Sequence, residues 1–295
     1  MNEAVTTGTL DHFEAARPRL FGIAYRMLGS AAEAEDVVQD AWLRWQAVED
    51  AVENPPAYLA TITTRLSLTA LDSARHRRET YIGPWLPEPV DTSADPALGA
   101  ERGEALEFAV LLLLEKLSPV ERAAYVLHEA FDYPFAVIAE VLSVSPANAR
   151  QLASRARAHL DRERGTVVRP EHRDRLLAGI TAAAQTGDLA ALEALLAADV
   201  VSLSDGGGIV SAARNPVVGR SNVARLVLGL LEKYSAGTTS LVVEVNGEPT
   251  IVVVRDGLPL VVWQFDIGPD GVRSMFAVLN PDKLHQFDSV ALSHN

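Results

Sequence analysis

The spacing of the apolar residues changes near Val167, and this change limits what the chain can fold into. Upstream of it, apolar residues recur with the helical period. Downstream, β-rich runs alternate with turn pairs such as Asn246-Gly247 and Asp256-Gly257. A chain of 295 residues is also longer than one typical domain. The sequence therefore predicts a multidomain protein in which all-α units precede an α+β unit.

The upstream part begins with a helical unit of three predicted helices. They are a helix closed by Gly29-Ser30, a helix over Ala31–Ala47 and a helix over Ala57–Arg78. The pair Pro55-Pro56 breaks the chain before the third helix and starts it. The following segment, Glu79–Gly103, is rich in Pro, Gly and Asp, and its prolines favour an extended path.

The second helical unit, Glu104 to about Arg164, carries a helix-turn-helix pattern. Ser118-Pro119-Val120-Glu121 has the order of a capping box, with Ser as N-cap and Glu reaching back to it. Phe135–Leu142 and the helix that starts at Pro146 are separated by the turn Ser143-Val144-Ser145. Two helices joined by a turn of this length are typical of a helix-turn-helix.

Downstream of Val167 the pattern predicts an α+β cone of three helices and five strands. The predicted helices are Glu171–Gln185, Leu189–Ala197 and Ser221–Tyr234. The predicted strands are Val200–Ser204, Ser240–Asn246, Thr250–Arg255, Leu258–Ile267 and Val272–Leu279. Because the helices come first and the strands follow in hairpins, we expect a curved antiparallel meander.

Composition excludes several classes of function. Apolar residues make up 48% of the chain and charged residues 22%, with no bilayer-length apolar run and no secretory signal pattern. We therefore expect a cytoplasmic protein with no membrane partner. There is no cysteine, and the seven histidines show no metal-ligand spacing. The sequence predicts no metal, no cofactor and no catalytic residue.

The net charge of −13 argues against nucleic acid, but the charges are unevenly placed. Residues 64–78 hold four arginines and residues 145–164 hold five. An acidic cluster consists of Glu33, Glu35, Asp36 and Asp40. Two basic faces and one acidic face indicate two kinds of partner.

The helix from Pro146 is predicted to read DNA. Its apolar side, from Ala149 to Leu160, should face the core. The other side carries groups that pair with base edges or phosphates: Asn148, Arg150, Gln151, Ser154, Arg155 and Arg157. The competing interpretation, an ordinary solvated helix, would usually hold more Glu and Lys.

The helix Ala57–Arg78 ends in a basic run and carries many hydroxyl groups. Its predicted DNA contacts are Thr64, Arg65, Ser73, Arg75, His76, Arg77 and Arg78. We expect the hydroxyls, which also include Thr61, Thr63, Ser67 and Thr69, to contact an unstacked strand rather than pack in the core. The alternative for the basic run is stabilisation of the helix C-terminus through its macrodipole.

Three motifs in this order resemble the extracytoplasmic-function sigma factors of bacterial RNA polymerase. Ala32–Leu43 resembles the polymerase-binding helix of sigma region 2, and Pro56–Arg78 resembles the part that opens and reads the minus-ten element. Leu117–Arg122 and the helix-turn-helix resemble region 4, which reads the minus-thirty-five element. The resemblance implies core RNA polymerase and promoter DNA as partners. It places polymerase contacts at Glu35, Asp36, Gln39, Asp40, Trp42 and Leu43.

The resemblance extends to the subgroup with a fused C-terminal SnoaL-like domain. Gly83–Pro89 resembles that subgroup's linker, and Asp205–Gly208 and Asn280–Leu284 resemble signature loops of the domain. Where the subgroup commonly has Lys after the glycines, this chain has Ile209. The implied regulatory residues are Trp85, Leu86, Pro87, Asp205, Gly206, Gly207, Gly208, Asn280, Pro281, Asp282, Lys283 and Leu284.

The family pattern divides the chain into four parts. They are region 2 at 8–80, the linker at 81–103, region 4 at 104–165 and the SnoaL-like domain at 167–290. We expect the linker to dock on the two signature loops, with Trp85 as an anchor. The domain is expected to modulate the activity of the sigma regions.

Two other functions remain open on the sequence. The first is a one-component helix-turn-helix regulator whose C-terminal domain senses an unidentified small-molecule ligand. The second is a SnoaL-like cyclase or isomerase, for which Asp266 and Asp205 are the candidate acid–base carboxylates. The acidic helix around Glu35 favours the sigma factor, because a simple repressor has no use for it.

Overall fold

The computed structural model describes residues 2–48, 52–92, 107–163, 168–234 and 236–287. They form two compact units. The first unit holds the described residues up to Thr80 and those of 107–163, and the second holds 81–92 and 168–287. The described part of the linker, residues 81–92, therefore belongs to the second unit, although in sequence it lies between the two helical parts of the first. No helix among the described residues is long and apolar enough to cross a membrane.

The first unit opens with three helices whose boundaries follow from their caps. They are α1 (Asn2–Leu28), α2 (Ala31–Gln46) and α3 (Pro55–Glu79). Gly29 ends α1 with a φ of 67°, a conformation that favours glycine. The side chains of Ser30 and Asn54 accept the N–H groups of Glu33 and Ala57 and so cap α2 and α3.

Four helices and a π-helical turn complete the described part of the first unit. They are α4 (Phe108–Leu114), α5 (Pro119–Tyr125), the π-helical turn Val126–Ala130, α6 (Phe135–Leu142) and α7 (Pro146–Glu163). The Ser118 hydroxyl accepts the Glu121 N–H at 3.4 Å and donates to the Glu121 carboxylate at 2.7 Å, so Glu121 reaches back to the hydroxyl of the cap. Ser143 turns the chain between α6 and α7 with a left-handed φ of 56°. Helix α3 contacts both α5 and α6, so the two helical parts share one core.

The second unit packs three helices on one six-stranded sheet. The helices are α8 (Pro170–Thr186), α9 (Leu189–Leu195) and α10 (Arg220–Tyr234). The strands are β1 (Leu196–Asp205), β2 (Val217–Val218), β3 (Thr238–Val245), β4 (Glu248–Arg255), β5 (Leu258–Gly268) and β6 (Gly271–Val278). The sheet order is β2-β1-β6-β5-β4-β3.

The sheet differs from the predicted meander at one edge. Strand β1 runs parallel to β6, whereas β3 to β6 pair antiparallel, and the short strand β2 was not predicted. Strand β1 also begins at Leu196, directly after α9, where the sequence pattern predicts continued helix to Ala197. Apolar periodicity reports which residues are buried but does not report strand direction, because direction follows from the connection through α10.

The core of the second unit lies between the helices and one face of the sheet. Leu177 and Ile180 of α8 and Val223 of α10 pack against buried residues of the sheet such as Val200 and Val272. Burial of these side chains holds the cone together through the hydrophobic effect.

Candidate functional site

Helix α2 presents the predicted polymerase-binding residues on one exposed face. Glu35, Asp36, Gln39 and Asp40 are exposed, and Leu43 is 56% exposed. Trp42 is half-buried, with its ring 4.8 Å from that of Phe13. The opposite side of the helix, Ala34, Val37, Val38 and Ala41, is buried. Glu35 pairs with Arg17 of α1 at 2.7 Å, and the helix presents Asp36 and Asp40 beside it on the same acidic surface.

Helix α7 separates the predicted DNA-reading residues from the core in the same way. Its buried side is Ala149, Leu152, Ala153, Ala156 and Leu160. The exposed side is Asn148, Arg150, Gln151, Ser154, Arg155 and Arg157. The Arg150 guanidinium lies 5.1 Å from the Phe135 ring centre. Arg157 contacts Glu129 at 2.6 Å and Arg155 contacts Glu121 at 3.5 Å, so these two arginines have acidic neighbours on the same unit.

The hydroxyl groups of α3 correct the expectation drawn from sequence. Thr63, Thr64 and Ser67 are fully buried. The Thr64 hydroxyl donates to the Ala60 carbonyl at 2.8 Å, and Ser67 donates to Thr63 at 2.9 Å. A hydroxyl that bonds to the carbonyl one turn earlier is compatible with a helix core. The expectation that the Thr64 hydroxyl does not pack in the core is therefore wrong, and its contact with DNA stays a prediction.

The basic side chains of α3 that the structure describes are engaged within the first unit. Arg65 donates to the carbonyls of Glu140 and Val141, at the end of α6, at 2.9 and 3.1 Å. Arg77 pairs with Glu33, and Arg78 pairs with Glu115 and the Leu28 carbonyl. Ser73 is exposed. The side chains of the predicted contacts Arg75 and His76 lie outside the described residues.

Sequence reasoning missed Glu115, which joins two arginines. Its other partner is Arg122, whose side chain is only 4% exposed and which also donates to the Met27 carbonyl at 2.6 Å. Burial lowers the pKa of the Arg122 guanidinium, and the carboxylate of Glu115, 2.7 Å away, opposes that effect. No sequence pattern marked Glu115. An acidic residue directly after an apolar helix is common on protein surfaces, so its position alone does not indicate a buried ion pair.

In the second unit, the Asp205 carboxylate binds residues of the linker and of both signature loops. Its carboxylate is fully buried. It accepts hydrogen bonds from the Tyr81 hydroxyl at 2.6 Å, the Leu86 N–H at 2.9 Å and the Gly207 N–H at 3.0 Å. Lys283 pairs with it at 2.8 Å. Burial, reinforced by the neighbouring Asp205, raises the pKa of Tyr81 above its ordinary range, so the phenol stays a donor.

Lys283 holds the centre of the linker from the second loop. It is 8% exposed and donates to the Leu86 carbonyl. Its ammonium lies 4.4 Å from the centre of the Trp85 ring, which is cation–π geometry. Asn280 donates to the Tyr81 hydroxyl at 2.9 Å. Leu86 and Pro87 are buried and Trp85 is half-buried.

The glycines of the first loop permit these close approaches. Gly207 has a φ of 62°, and a Cβ there would lie 2.5 Å from the Asn280 side chain. A Cβ on Gly206 would lie 2.5 Å from the Val210 carbonyl oxygen, and one on Gly208 would lie 2.9 Å from Ile82. Three members of the predicted set lie elsewhere on these loops: Leu284 is buried, and Pro281 and Asp282 are exposed. Ile209 is 58% exposed.

The far end of the linker pairs with the sheet. Val90 donates to the Asn246 side chain at 3.2 Å and accepts the Asn246 N–H at 2.9 Å. Asp91 forms an antiparallel bridge with Val245, the last residue of β3. The described part of the linker, residues 81–92, is therefore bound to the second unit at both ends.

The two candidate acid–base carboxylates do not meet in a pocket. Asp205 is committed to the linker contacts, and Asp266 pairs with Arg273 at 2.6 Å. Neither residue lines the largely apolar cavity of this unit. Neither Asp205 nor Asp266 therefore provides the cavity with a carboxylate.

Comparison with known proteins places this geometry in a class. The model of Sigma-70 region 2 matches residues 12–77, and that of Sigma-70, region 4 matches residues 107–160. The first covers α2 and α3, and the second covers the capping box and the helix-turn-helix. The two helical parts of the first unit are thus those of a sigma-70-type transcription initiation factor.

Full-length relatives identify the family. The chain is 41% identical over 274 residues to the ECF RNA polymerase sigma factor SigJ of Mycobacterium tuberculosis (strain ATCC 25618 / H37Rv), covering 90% of this chain and 84% of that protein. It is 32% identical to the probable ECF RNA polymerase sigma factor SigI of strain CDC 1551 / Oshkosh, covering 92% and 93%. The crystal structure of M. tuberculosis SigJ matches with a TM-score of 0.77 and 37% identity, over 94% of this chain and 98% of that one. The protein belongs to the extracytoplasmic-function RNA polymerase sigma factors.

Proposed function

We propose that this chain docks on core RNA polymerase through the exposed face of α2 and contacts promoter DNA through α7 and the basic end of α3. The observation that carries the proposal is the exposed acidic face of Glu35, Asp36 and Asp40 in a unit that also contains a helix-turn-helix. An acidic surface of this kind favours a basic partner surface through charge complementarity. Because α7 carries the base-reading groups, the same chain can hold polymerase and promoter together.

Run-off transcription with purified core polymerase tests this proposal. The expected result is a promoter-specific transcript only when core polymerase and this chain are both present. Asp36→Arg combined with Asp40→Arg should weaken core binding in a titration and reduce the transcript. The matched control is Asp199→Arg with Asp270→Arg, two exposed aspartates of the second unit that carry the same charge change. Equal core binding by both double variants would remove α2 as the polymerase contact.

The second candidate function is a helix-turn-helix regulator that acts without polymerase. It is favoured by the exposed residues of α7, which suit DNA whether or not polymerase is present. Such a regulator would bind its DNA site with the same affinity in the presence and absence of core polymerase. A sigma factor should instead show strong, sequence-dependent retention only as the holoenzyme.

We further propose that the second unit regulates transcription through its hold on the linker and performs no covalent chemistry. Asp205 and Lys283 bind Tyr81 and Leu86 of the linker, and these contacts support a role in controlling the segment between the sigma regions. The commitment of Asp205 and Asp266 to other partners supports a binding role over an acid–base one. A subunit of the transcription machinery would act in the cytoplasm.

A further inference from the structure

The second unit contains a cavity of about 290 Å³ bounded by α8, α10 and strands β3 to β6. Its walls are mostly apolar and include Ile180, Leu231, Val253, Trp263, Phe265 and Met275. A pocket of this size with apolar walls and a few placed polar groups is typical of a small-molecule site. At about 30 Å³ for each water-sized volume, it accommodates about ten non-hydrogen atoms.

The cavity has one charged lining residue among the described residues, Arg255. This residue ends β4, next to the Asp256-Gly257 turn. One of its terminal nitrogens donates to the Tyr234 carbonyl at 2.5 Å. Its Nε is buried and has no hydrogen-bond partner in the described part of the chain. Because a guanidinium offers five N–H donors in a planar fork, Arg255 retains donors for an anion.

No negative charge faces Arg255 inside the cavity. The lining includes no Asp, Glu or His within the described ranges, and Arg255 forms no ion pair with a described carboxylate. The other polar lining groups are uncharged: Thr181, Gln185, Ser211, Tyr234, Thr238 and Ser240. An anion entering the cavity would therefore meet one cation and no like charge.

We propose that this cavity binds a small monocarboxylic acid whose apolar body fills the space between Trp263 and Met275 and whose carboxylate pairs with Arg255. The carboxylate matches the guanidinium fork and can form two parallel hydrogen bonds with it. A linear or aromatic acid of about ten non-hydrogen atoms fits the volume. An effect of such a ligand on transcription rests on the proposed regulatory function, but its binding does not.

Calorimetric titration of the full chain with sodium octanoate and with 1-octanol tests the proposal. The two probes share the apolar chain and differ in charge. We expect saturable one-to-one binding of octanoate, and about tenfold or greater weakening with octanol, because a charged hydrogen bond contributes at least that factor. Arg255→Gln should weaken octanoate about ten- to a hundredfold and leave octanol unchanged.

Two further variants separate the cavity from the surface of the protein. Ala184→Phe places a ring into the cavity from α8 and should abolish binding of both probes. Arg225→Gln removes an exposed arginine of α10 that does not line the cavity, and should change neither. Unchanged melting temperatures would show that these variants fold.

Equal affinity for octanoate and octanol, unchanged octanoate binding by Arg255→Gln, or no saturable binding at millimolar octanoate would each overturn the proposal. Transcription assays in the same buffers keep the two proposals distinguishable. Binding without an effect on transcription would leave the ligand site standing and count against ligand-dependent regulation. Loss of polymerase binding would count against the proposed function alone.

Discussion

At the scale of single residues, Asp205 is the group on which the linker contacts converge. It is a buried carboxylate whose charge is balanced by the nearly buried Lys283. Removing one member of a buried pair costs more than the pair contributes, because the other charge remains desolvated. The contributions of Asp205 and Lys283 to stability are therefore coupled.

We predict that Asp205→Asn destabilises the second unit by about 3 kcal/mol, since it leaves the Lys283 ammonium buried without a counter-charge. It should also speed hydrogen exchange in the linker, residues 81–92, by loosening Tyr81 and Leu86. Urea unfolding and exchange mass spectrometry measure the two effects. Asp270→Asn, at an exposed position in the turn between β5 and β6, is the matched control and should leave both unchanged. Equal exchange in the two variants would contradict the role given to Asp205.

A second residue-scale prediction concerns Glu115, the partner of Arg78 and Arg122. Glu115→Gln should destabilise the first unit by about 3 kcal/mol, because Arg122 is buried and loses its anion. Urea unfolding followed by circular dichroism measures this. Glu163→Gln breaks an exposed pair with Lys116 and should change stability by less than about 0.5 kcal/mol. Similar stabilities for the two variants would show that the Glu115 pairs contribute nothing beyond a surface ion pair.

Individual residues were predictable from sequence to different degrees. The family motifs marked Asp205 and Lys283, and the structure places them in contact. No sequence pattern marked Arg255 as a binding residue, because a solvent-exposed hairpin also commonly has an arginine beside its Asp-Gly turn. The burial of Thr64 was missed for a related reason. A hydroxyl in a helix can hydrogen-bond either to solvent or to the backbone of its own helix, and residue type alone does not decide between them.

At the scale of elements, α7 carries two kinds of predicted contact. Arg150 and Gln151 are exposed near its N-terminal end, and Arg157 lies two turns later. We predict that Arg150→Ala and Gln151→Ala each relax sequence preference at one upstream promoter block, costing about 1–3 kcal/mol for each lost base-edge pair. Arg157→Ala should weaken all sequences alike and lower the salt slope by about one.

Fluorescence anisotropy of the holoenzyme on matched and scrambled promoter fragments, over a salt series, separates these effects. Arg162→Ala provides the control, because Arg162 lies on the same helix, is exposed, and is outside the predicted set. If Arg150→Ala lowered affinity for matched and scrambled fragments equally, α7 would be a phosphate contact and not a recognition helix.

The elements themselves divide into those that sequence could predict and those that it could not. The helices of the first unit follow the apolar period, and Ser30, Asn54 and Ser118 mark their starts through side-chain caps. The antiparallel hairpins from β3 to β6 follow their turn residues. The parallel pairing of β1 with β6 depends on how the intervening chain returns to the sheet, and local patterns do not contain that information. Strand β2, with two residues, is too short to show a period.

At the scale of the whole molecule, the order of the chain couples the linker to both sigma regions. Helix α3 ends at Glu79, and the docked linker begins at Tyr81. The linker is bound by two loops and by β3, all from the second unit. Because this segment belongs to one unit and joins two parts of the other along the chain, we propose it as the route by which the second unit regulates transcription.

The last prediction concerns this coupling. Ending the chain just before Asn280 deletes both Lys283 and Asn280, so it removes the cation over Trp85 and the partner of Tyr81. Trp85→Ala removes the ring alone, at a cost of about 1 kcal/mol of linker binding. Both changes should release the linker, seen as faster exchange over residues 81–92. Both should also shift run-off transcription in the same direction, with the larger effect from the truncation.

Two variants give this prediction its controls. Trp85→Phe keeps an aromatic face for the Lys283 ammonium and should stay closer to the wild type than Trp85→Ala. Ending the chain before Val167 removes the second unit and should leave a protein that still binds core polymerase, because the α2 surface lies in the first. Equal transcription from the full chain, the Asn280 truncation and Trp85→Ala on one promoter would show that the linker contacts do not regulate. Opposite shifts from the truncation and Trp85→Ala would show that the truncation acts by a route other than the linker. Trp85→Ala removes a linker contact that the truncation also removes, so loss of linker contacts alone should shift transcription in the same direction in both variants.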